Sequence, residues 1–216
     1  MSPGNDPRLA VLRELLATGK PAKVGKAVEE LVLIPDDGTA LALAAQAGSA
    51  AELSSESLVR LWSRAADPDG FCAVLLAPAL VRERRTSIRL RRMTSLTGLR
   101  HLSTLRSLHV YRCKEITDLT EAGMLTSLTD LDLNSCAGIA DLTPISRLTG
   151  LTRLGLHRCR AVQSAAPLLA LKKLRELDLS MTGVRSADGF TTGYPRWRNS
   201  PCAGAAPSRM PLTCPG

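Results

Sequence analysis

Residues 128–136 read LTDLDLNSC, and residues 151–159, which follow at a spacing of 23 positions, read LTRLGLHRC. The same pattern, L-x-x-L-x-[LV]-x-x-[CT], occurs in residues 105–113 and 174–182. A degenerate first copy begins at Ile88, which is 20 positions before Leu108. Self-similarity at a fixed period of this length indicates a repeat architecture.

Alternate residues of an extended strand point the same way, so Leu108 and Val110 are predicted to face inward together. One repeat cannot bury its apolar face alone, and stacking places each strand beside its predecessor, ~4.8 Å away. The stretch from Leu119 to Leu128 is predicted to return over the opposite side as a turn or short helix. The fold class predicted is therefore an α/β solenoid with a curved parallel sheet of about five repeats, preceded by a small α-helical region.

The repeats resemble leucine-rich repeats of the short internalin-like and phosphatase-regulator-like class. Residues 139–156, IADLTPISRLTGLTRLGL, carry most of this likeness. They differ in having cysteine where that class usually has asparagine, and in one extra residue per repeat. The resemblance implies a leucine-rich repeat horseshoe over residues 85–184 and a role in binding. Such repeats serve in phosphatase regulation, ubiquitin-ligase substrate choice and host-cell adhesion.

Residues 1–84 are predicted to form an α-helical N-terminal domain or a cap over the first edge of the array. A first helix is bounded by Pro7 and Gly19, since proline suits a first turn and glycine an end. Further helices are predicted at about 22–33, 39–47, 55–66 and 70–83. Residues 185–216 contain five prolines among Gly, Ser and Ala, a composition typical of a disordered tail. We expect that the array is truncated there or that a partner covers its last edge.

The positive charge of the chain is concentrated in one segment. The formal net charge is +8, and residues 82–106 contain eight arginines against Glu83 alone. A local patch of this kind indicates an acidic partner surface. The N-terminus has no readable secretory signal, and no apolar run is long enough to span a membrane. We therefore expect an intracellular, cytoplasmic protein whose six cysteines are reduced.

The outward positions of the repeat strands are predicted to form the partner-binding concave face. Its mixed charge suits a protein partner better than a phosphate backbone. Arg and Tyr are frequent interface anchors, so Tyr111, Arg112 and Arg158 are the predicted energetic centre. A related column of outward residues contains Arg92, Arg112, Ser135, Arg158 and Met181. The predicted face contains Arg89, Arg91, Arg92, His109, Tyr111, Arg112, Asp130, Asp132, Asn134, Arg153, His157, Arg158, Glu176 and Asp178.

The sequence indicates no catalytic, metal or cofactor site. His109 and Asp132 occupy equivalent positions and could hydrogen-bond, but no nucleophile is expected beside them. The cysteines at 113, 136 and 159 form a column at repeat spacing, without the C-x-x-C spacing of a zinc site, and are predicted to pack inward. His157 is two strands from His109, too far to share zinc easily. Phosphate-loop, dinucleotide and H-E-x-x-H motifs are missing.

The predicted function is that of a non-enzymatic protein–protein interaction module, such as an adaptor, scaffold or regulatory subunit. Its partner is expected to be a protein with an acidic patch. One alternative is RNA binding through the basic patch Arg82–Arg112, although nucleic acid is the less favoured partner because Tyr111 is the only aromatic on this face. A further alternative is a truncated repeat paralogue without independent function.

Overall fold

A computed structural model describes residues 7–18, 20–35, 38–50, 52–185 and 196–198 of the 216-residue chain. Up to residue 82, these residues form helices whose bounds lie within four positions of the predicted ones. Three of the helices begin at a proline, whose fixed φ suits a first helical turn. The helices are α1 (Pro7–Ala17), α2 (Pro21–Leu31), α3 (Thr39–Ala50), α4 (Ser55–Trp62), α5 (Pro68–Phe71) and α6 (Ala77–Arg82).

Helices α5 and α6 are joined without a break by a π-helical stretch, Cys72–Leu76. Pro78 follows it and has no N–H to donate, and its ring would crowd the carbonyl four residues earlier. The helix widens just before this proline, and the N–H of Ala77 donates to the carbonyl of Cys72, five residues back. None of the helices in the described part of the chain is long and apolar enough to cross a membrane.

Strands of the described residues form one parallel sheet whose spatial order is the order along the chain. Leu108 lies opposite Leu131, which lies opposite Leu154, and the next pairing joins Leu154 to Leu177. The 23-residue period therefore sets the strand register, as predicted, and the weak first copy pairs Ile88 with Leu108. The strands are β1 (Ser87–Arg91), β2 (Ser107–Tyr111), β3 (Asp130–Asn134), β4 (Arg153–Gly155), β5 (Glu176–Asp178) and β6 (Arg196–Arg198).

The sheet continues one strand beyond the last leucine repeat. Strand β6 pairs in parallel with β5 and places Trp197 opposite Leu177. The predicted disordered tail at 185–216 does not hold at Arg196–Arg198, and residues 186–195 and 199–216 lie outside the described residues. The three residues of the strand contain no proline, and the five prolines of the segment lie outside it.

The connections between strands close the core on the side opposite the outward residues. They contain a short helix α7 (Thr120–Gly123) and the 3₁₀ helices Leu99–His101, Thr143–Arg147 and Ala166–Ala170. Each contributes a buried apolar residue that packs towards the sheet, namely Leu99, Ala122, Ile145 and Leu168. This layered arrangement of inward leucines, parallel strands and short return segments is the leucine-rich repeat fold that the resemblance implied.

The N-terminal helices share their apolar core with the repeats. The buried residues form one continuous cluster that extends from Leu9 to Leu179. Trp62 is buried, and its Nε1–H donates to the carbonyl of Thr97 over 3.0 Å. Ser55 donates its N–H and its hydroxyl to the carboxylate of Glu83 over 2.7 and 2.5 Å. The helices are therefore packed on the first repeat rather than separated from it.

A side-chain turn begins the return segments of three repeats. Asp118 accepts hydrogen bonds from the N–H and the hydroxyl of Thr120, and Asp141 accepts from the N–H of Thr143. Ser164 takes the same role for the N–H of Ala166. Such turns satisfy backbone donors that the start of a short helix leaves unpaired.

Replacing Asp118 by alanine is expected to lower the free energy of unfolding by about 1 kcal/mol at pH 7, because the bonds to Thr120 are lost. Those hydrogen bonds lower the pKa of Asp118 in the folded chain. The carboxylate therefore stabilises the fold above the unfolded-state pKa, and the contribution is lost as the pH falls through the folded-state pKa. Urea unfolding from pH 7 downwards should show the difference between wild type and variant shrinking. A difference that stays constant with pH would contradict this assignment.

Candidate partner-binding surface

The strand register gathers the predicted binding residues on one side of the sheet, which we call the outer sheet face. All fourteen predicted side chains are exposed or half-exposed, whereas the residues between them on the strands are buried. One row crosses the strands as Arg89, His109, Asp132, Gly155 and Asp178. Alternation along the strands thus separates exposed from buried positions at these fourteen residues, whereas Ser180, which alternation would also turn outward, is buried.

The β1–β2 end of the outer sheet face is basic. Arg89 and Arg91 project from β1, and the Arg91 guanidinium carbon lies 5.9 Å from the centre of the Tyr111 ring. Within the described residues, no carboxylate lies within ion-pairing distance of Arg89 or Arg91.

Three other arginines of the charged segment have structural partners instead. Arg82 donates to the carbonyl of Leu53, and Arg85 donates to the carbonyl of Ser87 and the hydroxyl of Ser55. Arg100 bridges Asp69 and Glu121 over 2.7 and 2.9 Å. The patch that the sequence showed as continuous is therefore divided between the helix–repeat junction and the outer sheet face.

A groove of about 630 Å³ lies over β3, β4 and β5. Its floor includes Gly155, at a position where the other repeats have a side chain. A Cβ added there would lie 2.8 Å from Oδ1 of Asp132, so the missing side chain lets that carboxylate lean over β4. The polar residues around the groove include His109, Asp130, Asp132, Asn134, Arg153, His157, Glu176 and Asp178.

Asp132 is the centre of a small hydrogen-bonded cluster. Tyr111 donates its hydroxyl to Oδ2 of Asp132 over 3.1 Å, and Nδ1 of His109 lies 3.8 Å from the same oxygen. The His109 and Tyr111 rings are nearly parallel, with centres 6.1 Å apart. Burial raises the pKa of Asp132, although the hydrogen bond from Tyr111 and the charge of His109 act in the opposite direction. His109 and Asp132 are neighbours, as their equivalent positions predict, but 3.8 Å is too long for the expected hydrogen bond between them, and Tyr111 is an additional member of the cluster.

A second cluster lies at and just beyond the ends of β4 and β5, and the sequence patterns did not predict it. Nδ1 of His157 lies 2.8 Å from the Ser180 hydroxyl, which donates to Asp178. A carboxylate oxygen can only accept, so the hydroxyl proton of Ser180 is donated to Asp178. Nδ1 of His157 must therefore donate to the Ser180 oxygen. This direction of hydrogen bonding holds the imidazole in place and does not activate Ser180 as a nucleophile. Ser180 lies one repeat period, 23 residues, after His157, and this spacing was the sequence signal that could have predicted their contact.

One residue beyond the end of each of the first five strands adopts a left-handed conformation, directly after β1, β2 and β3 and three residues after β4 and β5. The φ angles of these residues lie between 55° and 61°. The N–H of each of the first four donates to a carbonyl of the next repeat, which continues the ladder past the strand ends. This column, which we call the rim, borders the outer sheet face at the carboxyl ends of the strands. It contains Arg92, Arg112, Ser135, Arg158 and Met181.

The three repeat cysteines stack inside the turns, directly after the rim residues. Cys113, Cys136 and Cys159 are free and buried, and the thiols of Cys136 and Cys159 donate to the carbonyls of Val110 and Leu133. Burial raises the pKa of Cys159 to about 11. Within the described residues, no group of histidine, cysteine and carboxylate side chains has an arrangement that could hold a metal ion. The cysteine column is thus part of the packing, as its period predicted.

No protein-family model and no curated protein matches the chain. Among solved structures, internalin C2 of Listeria monocytogenes is 23% identical, with a TM-score of 0.41 and coverage of 49% of this chain and 50% of that one. Internalin InlF of the same organism is 20% identical, with a TM-score of 0.41 and coverage of 62% and 44%. The chain thus spans about half the length of these internalins or less. The register of the chain's own buried leucines is what shows the leucine-rich repeat fold.

Proposed function

We propose that this chain is a non-enzymatic interaction module that binds a protein partner on the outer sheet face, as an adaptor, scaffold or regulatory subunit would. The observation that carries the proposal is the register itself, which displays fourteen polar side chains on one surface while the leucines between them are buried. A surface of this kind offers many hydrogen bonds and charged contacts to a partner, and binding through it requires no catalytic residues.

The charge distribution favours a protein over a nucleic acid. Asp130, Asp132 and Asp178 line the groove, where they would repel a phosphate backbone. The aromatic group available for base stacking on this face is Tyr111, and its hydroxyl is already bound to Asp132. With Arg82, Arg85 and Arg100 engaged at the junction, the RNA alternative has a smaller cationic surface than the sequence indicated.

The proposed energetic centre is the region around Tyr111 and the rim arginines. Tyr111 is half-buried between His109 and Arg91, which limits its freedom before binding. Arg92 and Arg112 border a cleft of about 360 Å³ beside Lys114. Arg158 lies further along the rim, where Nε contacts the sulfur of Met181 over 3.4 Å. Arginine and tyrosine in such settings are frequent binding hot spots.

Affinity capture tests this proposal with three forms of the full chain. The wild type is compared with an Arg91→Glu/Arg112→Glu variant and with Arg147→Glu, a control in the 3₁₀ helix Thr143–Arg147 on the opposite side. We expect the double variant to bind the captured proteins at least about tenfold more weakly, while the control retains them. If all three forms recover the same proteins equally, the outer sheet face is not the binding surface.

A salt titration distinguishes the RNA alternative. An RNA ligand should lose affinity log-linearly and steeply with salt, by about 0.7 log units for each log unit of salt per neutralised phosphate. We expect a fluorescent uridine 20-mer to bind the wild type weakly and without a preference for the wild type over the Arg91→Glu/Arg112→Glu variant. Tight binding that is lost in the Arg91→Glu/Arg112→Glu variant would favour the RNA alternative.

A further inference from the structure

The outer sheet face is divided by charge along the array. The outward positions of β1 and β2 include Arg89, Arg91 and His109 and no carboxylate, and Arg92 and Arg112 extend this basic end along the rim. The outward positions of β3 to β5 contain Asp130, Asp132, Glu176 and Asp178 against Arg153 alone. The first two strands and the next three thus favour ligand charges of opposite sign, and β6, in which Arg196 and Arg198 are in register with Glu176 and Asp178, follows the acidic strands.

The groove at the acidic end retains capacity for another hydrogen-bond donor. Asp130 forms an ion pair with Arg153 over 2.6 Å, which occupies one oxygen of the Asp130 carboxylate. Glu176 is exposed beside this pair. A carboxylate has about four acceptor positions, so Asp132 and Asp178 are not saturated by the hydroxyls that they bind. A guanidinium or ammonium group entering over Gly155 would meet several of these oxygens.

The dimensions of the groove indicate an extended ligand. Three strands at ~4.8 Å spacing give a floor about 10 Å long across the strands, and the first and last of three residues at ~3.3 Å rise are about 7 Å apart along each strand. An extended chain laid across the strands is about one strand spacing wide and fits this floor, whereas a helix with its side chains is about 10 Å or more across.

Strand spacing then sets the separation of the charges on the ligand. The distance from midway between β1 and β2 to β4 is two and a half strand spacings, or about 12 Å. An extended chain covers this distance in about four residues, and residues four apart point to the same side. Both charged side chains of such a ligand would therefore face the sheet.

We propose that the outer sheet face binds an extended protein segment that lies across the strands, with acidic side chains over β1 and β2 and an arginine or lysine four residues away in the groove. This inference rests on the proposed function and specifies the chemistry of the partner. The combination of opposite charges at a fixed separation distinguishes this ligand from a purely acidic protein surface.

Fluorescent 12-residue peptides test the charge arrangement directly. Each peptide is built of Thr, Ser and Val and carries two adjacent glutamates and one arginine. The arginine lies four residues from the nearer glutamate, on its N-terminal side in one peptide and on its C-terminal side in another. Matched peptides move the arginine to two or eight residues away, or replace it by glutamate. Titrations by fluorescence anisotropy at low salt with the full chain are expected to show at least about tenfold tighter binding at spacing four. Equal binding at all spacings, or no binding, would overturn the inference, as would tighter binding of the all-glutamate peptide or of a uridine 20-mer.

Single charge reversals assign each end of the peptide. Glu176→Lys should abolish the preference for arginine, and Arg91→Glu should abolish the preference for glutamate, while Arg147→Glu leaves both unchanged. Loss of both preferences in Arg147→Glu would count against the assignment. If the peptides show no spacing preference but protein capture still depends on Arg91 and Arg112, the ligand is wrong and the proposed function stands. If capture is also independent of them, the proposed function fails as well.

Discussion

Replacing Leu131 by alanine is expected to lower the free energy of unfolding by about 3 to 5 kcal/mol, the range for a fully buried leucine whose surroundings collapse incompletely. Leu131 has no exposed surface and lies in β3 between Leu108 and Leu154. Both neighbours are held by strand pairing, so they cannot move far to fill the cavity. Equilibrium urea unfolding followed by circular dichroism measures the change.

Met124→Ala provides the matched control for this loss. Met124 follows helix α7 and is 47% exposed, so its truncation removes little buried surface. Its effect is expected to stay within about 0.5 kcal/mol. Similar losses for the two variants would mean that Leu131 is not part of a tightly packed layer.

Replacing Gly98 by alanine is expected to lower the free energy of unfolding by about 2 to 5 kcal/mol, from a left-handed backbone and overpacking together. Gly98 has a φ of 92°, and an added Cβ would lie 2.5 Å from the carbonyl oxygen of Pro68 and 2.9 Å from Cys72. The substitution would push helix α5 away from the first repeat. Urea unfolding again gives the magnitude.

Gly38→Ala separates the cost of the left-handed backbone from the cost of overpacking. Gly38 has a φ of 99°, but no atom of the described residues lies within 4 Å of an added Cβ. Its replacement should cost only the conformational part, about 1 to 2 kcal/mol. Equal effects at the two glycines would show that the contact between α5 and the first repeat contributes nothing to stability.

The sheet and its buried rows could be predicted because two periods agree in the sequence. The alternation within each strand defines which residues point inward, and the 23-residue spacing defines which strands are neighbours. Leu131 and Leu154 satisfy both, and the structure places them in register. Strand β6 has Trp197 in the leucine position at a spacing of 20 residues, so neither rule identified it.

The rim and the division of the arginines depend on information that a local pattern does not contain. A left-handed residue is usually signalled by glycine or asparagine, whereas this rim contains arginine, serine and methionine. Arg100 is engaged by Asp69, 31 residues away in sequence, and such a contact follows only from the packing of the helices on the repeats. The outward residues could therefore be named in advance, but not which of them remain unpaired.

The two tryptophans of the chain lie near opposite ends of the stacked repeats. Trp62 is the last residue of helix α4, and Trp197 lies in β6. Each can serve as an intrinsic optical reporter for its own end once the other is replaced by phenylalanine. Stacked repeats interact mainly with their neighbours, so loss of order can begin at one end and travel. Emission from the two single-tryptophan proteins would reveal whether melting starts at the helices or at the last strand.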